Sequence, residues 1–135
     1  MKNKRYELKN GQGLVEFALL LPVLVLFLLV IFDLGRATYY YSACHNAAAE
    51  GARYASVHWN DGAGITQAAK RLTAGINATV SSPSFFDQDA DGNSDIVTIT
   101  VNCPFQAATP ILGRLLGAAD NTILLHGKAT MRLER

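Results

Sequence analysis

From Leu14 to Leu34 the chain runs for 21 residues with one acid, Glu16, near its inner edge and another, Asp33, at its outer edge. Between Phe17 and Phe32 there is no charge at all, and Pro22 is the only break. A bilayer core of roughly 30 Å needs about 20 helical residues, so this segment is long enough to cross one. Lys2, Lys4, Arg5 and Lys9 precede it, whereas the twenty residues after Leu34 hold only Arg36 and Arg53, offset by Glu50. The positive-inside rule then leaves the N-terminus cytoplasmic and exports everything beyond Leu34. A cleaved secretory signal fits poorly: the apolar region is too long, and Asp33-Leu-Gly-Arg36 offers no small-x-small site after it. A net charge of +1 over 135 residues gives no field for a nucleic-acid partner and leaves room for one small domain outside the span.

The approach to the span carries a specific spacing. Four residues separate Gly11 from Glu16, which lies just inside the membrane boundary. A glycine there keeps the backbone pliable enough to enter a protease cleft. An acid in lipid is costly and normally has a partner, although so near the edge Glu16 can also reach the headgroups.

The stretch Gly11-Gln-Gly-Leu-Val-Glu16-Phe17-Ala-Leu-Leu-Leu-Pro22, then Asp33-Leu-Gly35-Arg36, then Asn46-Ala-Ala-Ala-Glu50-Gly51-Ala52-Arg53-Tyr54-Ala55, resembles the TadE-like pseudopilins of tight-adherence (Flp-type) pili. The resemblance is strongest over residues 11–57 and returns in Thr130-Met-Arg-Leu-Glu134. It implies that a prepilin peptidase cuts after Gly11, making Gln12 the mature N-terminus. It also implies that Glu16, in a block with Phe17 and Pro22, meets the free amine of a neighbouring subunit during assembly. The partners it implies are other pilin or pseudopilin subunits, the peptidase, an inner-membrane assembly platform and the lipid bilayer. It requires no catalysis and no cofactor.

The organisation that follows is a leader at 1–11, a long helix at 12–57 and an exported domain at 58–135. The helix divides into a membrane half at about 14–34 and an outer half at 35–57, and Pro22 is expected to bend the membrane half. In the outer half Ala37, Tyr41, Cys44, Ala48, Gly51 or Ala52, and Ala55 recur at helical spacing, a stripe of mostly small residues onto which a sheet can pack. Tyr39, Tyr40 and Tyr41 read as an aromatic belt at the membrane surface. Asp33 and Arg36, three apart, can pair locally.

Trp59-Asn-Asp-Gly-Ala-Gly64 is a turn cluster that stops the helix near His58. A second helix is predicted over Ile65–Ile76, with Ile65, Ala68, Ala69, Leu72 and Ile76 on its apolar side. A short strand at 78–82, a loop at 83–94, a strand over Ile96–Cys103 ended by Pro104, one or two helical turns at 111–116, and a last strand over Thr122–Leu133 complete the reading. The fold class is α+β and pilin-like: an antiparallel sheet of two to four strands packed on the outer half of the long helix.

Asp87, Asp89, Asp91, Asn93 and Asp95 match ligand positions of a calcium loop around Gly92, but the twelfth position, normally a bidentate Glu, is Thr98. The motif therefore reads either as a loose calcium site or as a solvated turn. Cys44 and Cys103 are open to a disulfide in an exported domain, or to burial as thiols. His45, His58 and His126 lack metal-ligand spacing, and no nucleophile-and-base motif is present, which argues against an enzyme. The competing function is a single-pass surface binding protein or calcium-dependent adhesin that is never assembled into a filament.

Overall fold

The structure is a computed structural model that describes residues 9–90, 92–109 and 120–134. The apolar run and the alanine-rich stretch behind it form one helix, α1 (Lys9–Val57), of 49 residues. At 1.5 Å per residue that is about 74 Å. It starts earlier than the expected 12–57, so Gly11 also lies inside helical backbone, and it runs unbroken past Pro22. Every residue from Gly11 to Leu29 is exposed, while burial begins near Val30 and Asp33 and deepens toward the far end.

The second helix, α2 (Gly62–Arg71), lies earlier than predicted. Asp61 caps it, accepting a hydrogen bond from the Gly64 amide at 2.8 Å, so the turn cluster itself supplies the first helical turn. Ile65, Ala68 and Ala69 are buried as expected. Leu72 is not: it is the C-cap and is exposed. Ile76 still packs on the core, although it stands beyond the helix.

Four strands make one antiparallel sheet: β1 (Thr79–Val80), β2 (Ser84–Phe86), β3 (Ile96–Gln106) and β4 (Thr122–Arg132). β4 pairs with β3 along its whole length, Ile96 opposite Arg132 and Gln106 opposite Thr122. β1 and β2 share the other side of β3, at Val101–Asn102 and Ile96–Thr98. Two expectations are corrected here. The predicted 83–94 loop contains β2, a strand of only three residues whose side chains are all exposed and so carry no alternation. Pro104 does not end β3, which continues to Gln106. Pairing with β1 stops at Asn102, so at Pro104 one side of the strand is an edge, where a missing N–H is tolerated. The predicted turns at 111–116 lie outside the described residues.

The core is the meeting of α1, α2 and the inner sheet face. Val97, Ile99, Val101 and Cys103 of β3 are fully buried against Cys44, Ala47, Ala48, Ala52 and Ala55 of α1 and Ile65 and Ala69 of α2. The small residues are there because the backbones come close. A Cβ at Gly127 of β4 would collide with the Cys44 carbonyl, and one at Gly51 would press on Ala69 at 3.1 Å. The predicted stripe is corrected at Tyr41, which is exposed, and gains Ala47, which is buried. One turn nearer the membrane it is Ala37 and Tyr40 that face inward, packing on Phe105. Cys44 and Cys103 are joined as a disulfide with Cα atoms 6.2 Å apart.

Candidate functional site: the membrane segment and its junction with the domain

The membrane half of α1 presents its side chains outward. Glu16 and Phe17 are exposed, and among the described residues no salt bridge involves Glu16. Phe17, Leu20, Leu21, Val23, Leu24 and Phe27 border an open apolar groove along the helix. Gly11 and Gln12 sit in the first turns. A Cβ at Gly11 would meet nothing within 4 Å, so neither packing nor backbone conformation in this fold demands a glycine there.

At the outer edge lies a residue whose role was not visible in the sequence. Asp33 is completely buried. Its carboxylate accepts hydrogen bonds from the Ala108 amide (3.1 Å), the Thr109 amide (2.8 Å) and the Thr109 hydroxyl (2.7 Å). The expected Arg36 contact exists but is longer, 3.4 Å. The carboxylate therefore ties the end of the apolar segment to the loop after β3, across 76 positions of sequence. A one-turn pairing rule could suggest Arg36; nothing local points to Thr109. Beside this clamp the Arg36 guanidinium carbon stands 5.3 Å from the centre of the Phe105 ring, and Tyr40 meets the same ring edge-on at 5.3 Å. Tyr39 and Tyr41 face outward.

The acidic turn closes the hairpin between β2 and β3. Asp87 accepts from the Ala90 and Gly92 amides, both at 2.8 Å, and Asp95 accepts from the Gln88 amide at 3.0 Å. Ala90 and Gly92 both take positive φ to make this possible. Partial desolvation raises the Asp87 pKa, but the Gly92 and Ala90 amides outweigh it and hold the carboxyl below its ordinary value. One oxygen each from Asp87, Asp89 and Asp95 lies within 4.8 Å of the others, the spread of a cation's ligand shell. Asn93 is exposed on the same turn, and Asp91 lies outside the described residues. Thr98 is unavailable as a ligand: it is buried in β3 with its hydroxyl 2.9 Å from that of Thr130.

Among the described residues, α1 is the one helix long and apolar enough to cross a membrane. Together with the small sheet this defines an α+β protein with an N-terminal helix fit to be a single-pass anchor. Residues 11–53 match the family model described as TadE-like protein. The match begins at Gly11, ends within α1 and covers about a third of the chain, in agreement with the resemblance of the same segment noted above. No curated protein and no solved structure matches the chain.

Proposed function

We propose that this chain is a structural, non-catalytic subunit of a type IV-related tight-adherence pilus, a minor pilin or pseudopilin that a prepilin peptidase cuts after Gly11. The observation that carries the reading is the TadE-like match, whose first residue is Gly11 and which includes Glu16 on an exposed helix face. Gly11 supports it independently. Glycine is a poorer helix former than alanine, and this one, in the first turn of α1, relieves no contact. Its identity is then explained by a demand outside the fold, that of a protease cleft. In this reading the basic leader stays in the cytoplasm and the sheet domain faces out of the inner membrane. Glu16 pairs with the new α-amine at Gln12 of an adjacent subunit, because a buried carboxylate in a filament core needs a cation. Phe17, Pro22 and the groove residues form the contact with that subunit and with the assembly platform.

Mass spectrometry of the membrane-extracted protein tests processing. A mature chain beginning at Gln12 is expected; an intact leader in cells that contain the peptidase overturns the reading. Glu16→Ala is expected to leave membrane insertion intact and abolish incorporation into fibres.

A calcium-binding turn is compatible with this role and central to the alternative of a surface adhesin. The carboxylate grouping of Asp87, Asp89 and Asp95 supports it. Titration calorimetry of the full chain in detergent is expected to give a weak site, with a Kd of about 0.1–1 mM as in extracellular modules. Loss of the heat on Asp89→Ala checks its location. No heat in the parent chain means that the turn is held by its own amides alone.

A further inference from the structure

A cavity of about 320 Å³ opens at the membrane-facing end of the domain, lined by Arg36 and Tyr40 of α1, Asn77 before β1, Pro104 and Gln106 of β3, and Thr122 of β4. Four separate segments converge to make it. Among the described residues no carboxylate lines it, while five of these walls bring hydrogen-bond donors: a guanidinium, a phenol, two carboxamides and a hydroxyl. Its height is fixed by the Asp33 clamp. Arg36 stands two residues beyond the Leu14–Leu34 run, about 3 Å by helical rise. The loop bonded to Asp33 and the Phe105 ring beneath Arg36 hold the cavity at that level. This is the depth of lipid headgroups.

The electrostatics there are lopsided. Asp33 already receives three donors from Ala108 and Thr109, all closer than the single 3.4 Å contact from Arg36. The guanidinium, with five N–H donors in all, keeps capacity on its cavity side, and its side chain is 36% exposed. Among the described residues the one charged side chain in the wall is a cation, and neutral donors surround it, which suits a phosphate. A zwitterionic headgroup would bring an ammonium for which the walls hold no partner. Phe32, exposed on α1 one turn below Arg36, offers apolar surface to acyl chains.

We propose that this cavity binds the phosphate of an anionic phospholipid at the bilayer surface. The site depends on α1 spanning the membrane and not on cleavage at Gly11 or on filament assembly. The test is native mass spectrometry of the full chain released from nanodiscs containing equal parts of phosphatidylcholine and phosphatidylglycerol. One phosphatidylglycerol is expected to stay bound per chain, in several-fold excess over phosphatidylcholine. Gln106→Glu, an exposed change that places a carboxylate in the wall, and Arg36→Gln should each lower retention about tenfold, the scale of one charge-assisted hydrogen bond. Unchanged melting of the Gln106→Glu protein shows that the loss is not unfolding. Equal retention of the two lipids, or full retention in both variants, overturns the proposal. A third arm adds excess inorganic phosphate to the lipid-bound protein. Displacement of phosphatidylglycerol would make the cavity a site for free phosphate and end the lipid assignment.

Discussion

A buried carboxylate is among the most expensive groups a small domain can contain, and Asp33 is held by three donors, the Ala108 and Thr109 amides and the Thr109 hydroxyl. Removing it leaves the buried Thr109 amide and hydroxyl without an acceptor, and the part-buried Ala108 amide with them, at about 1–3 kcal/mol for such unmet groups. Asp33→Ala is therefore expected to lower stability by about 2–4 kcal/mol, read as a shift in the thermal midpoint in detergent. Amide exchange should speed up first at Ala108 and Thr109; unchanged protection there would mean that the loop is held by something else. Asp61 gives a second residue-level expectation, with a defined pH sign. The Gly64 amide, and after it the Tyr54 hydroxyl, hold its carboxyl below the usual range. A group depressed in the folded state contributes stability above its unfolded pKa of about 3.9 and loses it as pH falls through the lower folded value. Amide protection at Gly64 and Ile65 should thus decline below about pH 4 in the parent and show no such step in Asp61→Ser, which keeps a capping oxygen without the charge.

Among the elements, those with a long periodic pattern were legible and those set by a distant neighbour were not. β3 and β4 alternate over many residues, so their inner faces were readable down to Val97 and Leu133. The outer half of α1 was readable from its alanines. β2 was hidden because three exposed residues next to Pro83 and an aspartate-rich turn have no pattern of their own, and it is their pairing with Ile96, Val97 and Thr98 of β3 that makes them a strand. Tyr40 rather than Tyr41 faces inward because the helix face is chosen by where the sheet comes closest, at Gly127. That approach yields the element-scale prediction. Gly127→Ala drives a methyl into the Cys44 backbone, which rigid backbone can relieve only by moving β4 away from α1, at about 1–3 kcal/mol or more. The thermal midpoint should fall and the Cys44–Cys103 bridge, whose Cys44 backbone takes the clash, should reduce more readily. A midpoint equal to the parent's would show that the sheet and helix are not in close contact. Of the candidate site, Glu16, Gly11 and the acidic turn could be picked out by spacing. Asp33 could not, because its partners arrive from the far end of a strand.

At the scale of the whole molecule, one helix is shared between lipid and domain, and the two halves are joined where Asp33, Arg36 and Tyr40 meet the end of β3. The domain's packing therefore starts before the apolar run ends: Val30 already lies against the Phe105 cluster. A rod pulled along its axis then carries the sheet with it, tied at two levels, the Asp33 clamp and the Cys44–Cys103 bond. The bond closes a sequence separation of 59, worth about 4 kcal/mol on the chain-entropy account. The placement of the boundary is testable with two soluble fragments. One begins at Val30 and keeps the clamp; the other begins at Ala37 and keeps the disulfide and the main core but loses Asp33, Arg36 and the Val30 contact. If the end of the apolar run were merely a tether, both would melt alike. Because the clamp is part of the domain, the shorter fragment is expected to be less stable by about 2–4 kcal/mol. At about 4–8 °C per kcal/mol for a domain of this size, that is a drop of roughly 10 °C or more. Asp33→Ala in the longer fragment should account for most of that difference, since Arg36 contributes only a long contact and a ring face. A drop seen on truncation but not with Asp33→Ala would move the joint from the carboxylate to the Phe105 cluster.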